Sequence, residues 1–168
     1  RQRPVHPSRR SATVNEHLLQ RQLAGAMTLL SLEQEARRVQ TAQELMFLMV
    51  NRTQTVMPAD MIFFFPVEHG RIGPLAAVSG ISEPDPHAPM VMGLNDCMRH
   101  HLPTLHPRIL GEPSTTHECH PREHGVPPEV MLCPLTTPSE ELVGVLLLAR
   151  VQPWRREEND LVSRLGLC

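Results

Sequence analysis

The sequence predicts an α+β fold, with groups of helices set apart from pairs of antiparallel strands. Two apolar runs near the carboxyl end carry this prediction, Val130–Leu135 and Leu142–Arg150. Both runs are apolar at odd and even positions alike, which is typical of strands covered on both faces. The polar segment 136–141 between them contains Pro138 and has the composition of a turn. We therefore interpret the two runs as a hairpin of central strands.

The chain begins with a basic, proline-containing segment, residues 1–13, which we interpret as a flexible tail. Residues 14–168 are then expected to form a single domain, cut from a longer bacterial protein. A helical pattern of leucines and charged residues covers 14–39. Because this helix is long for so small a domain, it either breaks near Gly25 or projects and pairs with another subunit.

A second helix is predicted from a capping box, in which Thr41 is the N-cap and Glu44 is the third helical residue. It is expected to run from Ala42 to about Met57 and to end at Pro58. The elements expected after it are strands at 59–67 and 72–80, a short helix at 90–102, a weak strand near 105–110, the hairpin, and a last helix at 157–167.

Composition excludes several classes of protein. The net charge is -2 and all sixteen basic residues are arginine, so the chain has no overall basic footprint for nucleic acid. No apolar run approaches the roughly 18 residues of a membrane span, and no signal peptide is visible. Its cysteines, Cys97, Cys119, Cys133 and Cys168, do not have the spacing of a secreted disulfide framework. We therefore expect a cytoplasmic protein whose present fragment contacts neither nucleic acid nor membrane.

Several stretches together resemble a GAF domain: ADMIFFF at 59–65, LAAVSGI at 75–81, VMLCPL at 130–135 and LVGVLLLAR at 142–150. Two helices precede the first stretch, and the last is followed by a helix with an acidic first turn. The resemblance covers about residues 29–166. The long first helix also looks like that of the GAF module fused to haemolysin-type membrane-fusion secretion proteins.

The resemblance implies a GAF-like antiparallel sheet with helices on both faces, the N- and C-terminal helices packing together on one side. It implies a non-catalytic sensory module in signal transduction, which binds a small molecule, signals through its terminal helices and forms a homodimer through them. The pocket would lie between the sheet and residues 81–128; the ligand and any cofactor are unknown. The candidate pocket residues are Ser79, Met92, Asp96, Cys97, His100, His101, Cys119 and His120.

Two other functions fit the same fold. A structural dimerisation or assembly module would need no ligand and would fill the pocket space with Met90, Met92, Leu94 and Met98. A ligand site instead needs an apolar cavity with a few convergent polar groups. The second alternative is a metal- or haem-linked redox or gas sensor, which would use the histidines and cysteine of the irregular loop: His117, Cys119, His120 and His124.

The loop itself matches no standard metal-binding pattern, so the sequence assigns no metal ligand. Cys119-His120 looks like the pair that attaches a bilin in some GAF domains, but the chain has no tyrosine, on which such pockets usually rely. Ser79 does not lie in a Gly-x-Ser-x-Gly motif, and Cys97 near His100 is expected to be a small core residue. No motif of a catalytic site occurs in its required context, so we expect no enzyme activity.

Overall fold

A six-stranded antiparallel sheet forms the centre of the computed structural model, which describes residues 41–100, 108–110 and 119–158. The side chains of residues 100 and 108–110 lie outside that description. The strands are β1 (Met61–Glu68), β2 (Arg71–Ile72), β3 (Ala77–Val78), β4 (Arg108–Leu110), β5 (Glu129–Thr136) and β6 (Leu142–Arg150). The helices are α1 (Ala42–Val56), α2 (Pro89–His100) and the short 3₁₀ helix η1 (Pro121–His124).

The strand order is β2-β1-β6-β5-β4, and β3 also pairs with β1. The predicted hairpin is confirmed as β5 and β6, which pair antiparallel with Cys133 opposite Leu146. Strand β6 lies between β5 and β1, with Phe64 also opposite Leu146. From Gly144 to Ala149 it is therefore covered on both edges by backbone hydrogen bonds and on both faces by side chains. A strand segment in this position is expected to be apolar at odd and even positions alike, as the sequence indicated.

Alternating residues of the central strands divide the core into two layers. One layer, the α1 face, buries Ile62, Phe64, Met131, Cys133, Leu146 and Leu148 together with Val50 of α1. The other, the α2 face, buries Phe63, Phe65, Val130, Leu132, Val145 and Leu147 together with Leu94 and Met98 of α2. A helix therefore lies on each face of the sheet, as predicted.

Gly144 near the start of β6 is required by a close approach between neighbouring strands. A Cβ atom at this position would lie 2.3 Å from Cε2 of Phe64 and 3.3 Å from the carbonyl oxygen of Phe65. The aromatic ring occupies the space that any side chain would need. The Gly-Val-Leu pattern of this strand thus follows from packing against the aromatic strand β1.

The predicted capping box is present. The Thr41 hydroxyl accepts from the Glu44 backbone N–H at 3.1 Å, and the Glu44 carboxylate accepts from the Thr41 N–H at 3.3 Å. These two bonds satisfy N–H groups that have no partner within the helix. Helix α1 then ends at Val56, before Met57 and Pro58, close to the predicted end.

The continuous strand predicted at 72–80 is wrong. It is divided into β2 and β3, with residues 73–76 outside either strand. Gly73 N–H still donates to Pro66 O at 2.7 Å, and Ala76 N–H donates to Phe64 O at 2.9 Å. Pro74, between them, has no N–H to continue the ladder, which accounts for the interruption.

The buried end of β6 is linked to the segment that follows it. The Arg150 guanidinium binds both carboxylate oxygens of Glu158, at 3.0 and 2.6 Å, and lies 3.8 Å from the centre of the Trp154 ring. It also donates to the carbonyl oxygens of Pro58, Gln152 and Pro153. We call Arg150, Trp154 and Glu158 the arginine clamp. Residues 156–158 are helical, so the clamp fixes the start of this helix against the central strand.

Some predictions fall outside the described residues: the tail at 1–13, the helix at 14–39, the position of His101 and the helix beyond residue 158. The packing of N- and C-terminal helices against each other lies there too. Within the described ranges, no helix combines the length and the apolar character needed to cross a membrane.

Candidate functional site

Helix α2 is fixed on its face of the sheet by two residues one turn apart, Leu94 and Met98, both completely buried. The Asn95 side chain adds a polar link, because its Oδ1 accepts from the Leu75 N–H at 2.7 Å. Gly93 and Cys97 are also four residues apart and therefore share a second side of the helix. That side meets η1.

The 3₁₀ helix η1 is short but well defined at both ends. At its start, the His120 side chain accepts from the Arg122 N–H through Nδ1 at 3.2 Å, and Pro121 occupies the first position. At its end, Gly125 adopts a left-handed conformation with φ of 83°. Val126, directly after it, is buried in the α2 face. These features hold His124, the last residue of η1, against α2.

Three side chains with metal-ligating atoms meet at the junction of α2 and η1: Cys97, Cys119 and His124. Their sulfur and nitrogen atoms all lie within 4.8 Å of one another. The Cys119 Sγ lies 3.1 Å from the His124 Nε2. Cys97 is completely buried, while Cys119 and His124 are partly exposed. We call these residues the Cys-Cys-His cluster; it has one buried side and one side accessible from solvent.

Gly93 allows the imidazole to approach the helix. A Cβ atom on Gly93 would lie 2.3 Å from Nδ1 and 2.7 Å from Cγ of His124, closer than real Cβ contacts. The ring therefore packs on the bare helix backbone one turn before Cys97. With Nδ1 against Gly93, Nε2 faces the sulfur of Cys119. The missing side chain at position 93 thus sets the orientation of the histidine.

The environment of Cys97 disfavours a thiolate. Burial raises the pKa of its thiol well above the ordinary value, and the neighbouring Cys119 and the Glu123 carboxylate raise it further. A cation placed among the three side chains would reverse this effect, because it would stabilise the negative sulfur. Burial in the opposite layer likewise raises the pKa of Cys133, to about 12, so this residue stays a thiol at neutral pH.

The structure brings together two of the predicted site residues, Cys97 and Cys119. His120, the residue after Cys119, is buried and caps η1. Ser79 lies elsewhere, at the end of β3, where its hydroxyl accepts from the Ile62 N–H at 3.0 Å. Asp96 is exposed and pairs with Arg99 on the same helix.

Met92 was predicted to face inward, and this is wrong, because it is 53% exposed. It lies on the side of α2 opposite to the buried Leu94 and Met98. The side chain of His100 and the whole of His101 lie outside the described residues. Ligand binding by the eight candidate pocket residues stays a prediction.

Two residues of the cluster region were not among the candidates, His124 and Gly93. His124 was named only in the metal-sensor alternative, and no ligand was assigned there because the spacing of the loop histidines matches no metal motif. The missing information is the distance between α2 and η1, which no local pattern provides. Gly93 inside an amphipathic helix was the available signal, since a glycine there often marks close approach by another group.

Comparison with solved structures identifies the fold. A GAF domain of a putative sensor histidine kinase from Pseudomonas syringae pv. tomato aligns with a TM-score of 0.59 at 18% identity, over 91% of this chain and 89% of that one. The phycoerythrobilin-bound GAF domain from a cyanobacterial phytochrome gives 0.56 at 12% identity, over 83% and 88%. A GAF domain of a phosphoenolpyruvate-protein phosphotransferase from Coxiella burnetii gives 0.52 at 18% identity, over 84% and 88%.

No family model and no curated protein sequence matches the chain. At these low identities the structural likeness concerns the fold alone. The α+β architecture, the antiparallel sheet and the helices on its two faces are those of a GAF domain, as the resemblance in the sequence implied.

Proposed function

We propose that this chain is a non-catalytic sensory module, which binds a small ligand at the junction of α2 and η1 and signals through its terminal helices. The observation that supports the proposal is the convergence of Cys97, Cys119 and His124 on one face of a GAF-type sheet. Polar groups converging beside an apolar layer are what a small-molecule site requires. The GAF domain that holds phycoerythrobilin in a cyanobacterial phytochrome has a similar fold, which supports ligand binding by analogy only.

The arrangement of the core supplies a route for the signal. Leu94 and Met98 of α2 pack in the same layer as Leu147 and Ala149 of β6. Ala149 is followed by Arg150, the centre of the arginine clamp, which holds the helix that begins at residue 156. A ligand that favours one position of α2 would therefore favour one position of this helix.

A second function, an assembly module without a small ligand, also has an observation in its favour. Leu94 and Met98 are completely buried beneath α2, and Met90 packs against the same layer. This is the arrangement expected if the space has no ligand to accommodate. In that case the module would act as a homodimer. For either function, we propose that the protein is located in the cytoplasm.

Native mass spectrometry of the whole chain separates the two functions. The purified protein is dialysed against a metabolite extract of its expression host. The mass of the folded protein is then compared with the mass of the same sample after denaturation. The sensory proposal predicts an added mass that is retained by the folded chain and lost on denaturation. A dimer whose mass is that of the polypeptides alone, both before and after dialysis, would contradict ligand binding and favour the assembly module.

A further inference from the structure

The geometry points to a binding site for a thiophilic divalent metal ion, of which zinc is the best match, formed by the Cys97 and Cys119 sulfurs and Nε2 of His124. The inference deepens the proposed function, because it names a chemical class of ligand for the same junction. It does not depend on signalling, since metal binding is measured directly. It also differs from the metal-sensor alternative of the sequence, which used only residues of the irregular loop, because one ligand, Cys97, comes from helix α2.

The donor set suits zinc. Two thiolates and one imidazole are soft and borderline ligands, which bind zinc well and magnesium or calcium poorly. Their combined charge would neutralise a divalent ion, since each thiol loses one proton to solvent and the imidazole binds in its neutral form. A neutral assembly of this kind is much less costly to bury than a single thiolate.

The distances also suit zinc. Zinc–sulfur bonds of about 2.3 Å and zinc–nitrogen bonds of about 2.0–2.1 Å place tetrahedral ligand atoms roughly 3.5–3.8 Å apart. All three atoms lie within 4.8 Å of one another, and the Cys119 Sγ and His124 Nε2 are 3.1 Å apart. Side-chain movements of about 1 Å or less would close the site around an ion.

The surroundings of the cluster orient its imidazole. The ring packs on Gly93 through Nδ1, which leaves Nε2 toward the sulfur atoms. Gly93 and Cys97 are one helical turn apart, so α2 supplies both a ligand and the surface that positions another. Three ligands come from described residues, and a tetrahedral ion has a fourth position for a further donor. A site with one exchangeable position is suited to sensing.

The test uses the full chain, kept reduced, stripped of metal and titrated with Co²⁺ as a spectroscopic probe for zinc. We expect one cobalt per chain, with a near-ultraviolet thiolate-to-cobalt charge-transfer band and visible bands of tetrahedral cobalt, all removed by one equivalent of Zn²⁺. Cys97→Ser and Cys119→Ser should each lose most of the charge-transfer intensity. His124→Ala should weaken cobalt binding by at least about tenfold.

Two variants serve as matched controls. Cys133→Ala removes a buried thiol from the opposite layer, and His87→Ala removes an exposed imidazole; both should bind cobalt as the unaltered chain does. Gly93→Ala leaves every ligand atom in place but obstructs the imidazole, and should weaken binding by about 10–100-fold. Circular dichroism of each variant establishes that it is folded before its titration is interpreted.

Failure of the unaltered chain to bind cobalt, or equal binding by the Cys97→Ser variant, would overturn the metal site. So would peptide mapping that finds Cys97 and Cys119 joined as a disulfide under reducing conditions. Binding of cobalt without retention of any metabolite would leave the metal site standing while the organic-ligand form of the proposed function fails. The two results are therefore separable.

Discussion

At the scale of single residues, the candidate site depends on Gly93, which has no side chain to obstruct His124. Alanine normally stabilises a helix relative to glycine by about 1 kcal/mol. At position 93 the added methyl group would meet the His124 ring at 2.3 Å, so the ring or η1 has to move. The stabilisation that alanine normally gives a helix relative to glycine should therefore be cancelled or reversed at position 93.

A double-mutant cycle tests this contact. Gly93→Ala alone should leave the free energy of unfolding unchanged or lower it by about 1 kcal/mol. In a His124→Ala background, the same substitution should raise it by about 0.5–1 kcal/mol, because the clash is gone and helix propensity remains. Urea unfolding of the four proteins gives the coupling energy. Equal effects in the two backgrounds would mean that the ring does not rest on Gly93.

At the scale of elements, the arginine clamp joins the central strand to the helix that begins at residue 156. Hydrogen bonds from Arg150 lower the pKa of the Glu158 carboxyl, with the Arg155 N–H contributing further. Because the pKa is lower in the folded state, the ionised carboxylate stabilises the fold above its unfolded pKa of about 4.3. This contribution is lost as the pH falls through the lowered pKa of the folded state.

Glu158→Gln should therefore be less stable than the unaltered chain at neutral pH, and the difference should shrink as the pH falls below about 4.3. Arg150→Met removes the donor to several backbone carbonyls as well, and should cost about 2–4 kcal/mol at neutral pH. Thermal unfolding of both variants across a pH series provides the measurement. A stability difference for Glu158→Gln that stays constant down to low pH would contradict this role of the ion pair.

Elements with strong local patterns were predictable from the sequence, whereas contacts between distant elements were not. The hairpin of β5 and β6 follows from two apolar runs and a turn, and α1 follows from the capping box at Thr41. The break between β2 and β3 was only partly predictable, because Pro74 removes a donor without showing where pairing resumes. The sequence pattern also placed Met92 inward, but Leu94 and Met98 set the buried side of α2.

The site was predictable only in part for the same reason. Cys97 and Cys119 were candidates as separate members of a long segment, and nothing local showed that their sulfurs meet. His124 was considered in the metal-sensor alternative but was not assigned as a ligand, because metal motifs are defined by short spacings and a ligand set drawn from a distant helix and a 3₁₀ turn has none. The fusion to haemolysin-type secretion proteins, the homodimer and the terminal helix bundle stay predictions.

At the scale of the whole molecule, we propose that three parts are connected in order: the Cys-Cys-His cluster, the layer between α2 and β6, and the arginine clamp. Buried side chains lie between α2 and β6, since Leu94, Met98, Leu147 and Ala149 share one layer. A change at the cluster should therefore reach residues 150–158 without unfolding any element. A purely local metal site, by contrast, would affect only its own two elements.

Hydrogen–deuterium exchange of the full chain, with and without one equivalent of Zn²⁺, measures whether metal binding at the cluster changes residues 150–158. We expect Zn²⁺ to slow amide exchange at 91–99 and 119–126 and to change it at 150–158, and we expect none of these changes in the Cys97→Ser variant. Exchange that slows only at 91–99 and 119–126 would contradict transmission to the terminal helix. Exchange that is unaffected by Zn²⁺ throughout the chain would contradict the role of the cluster itself.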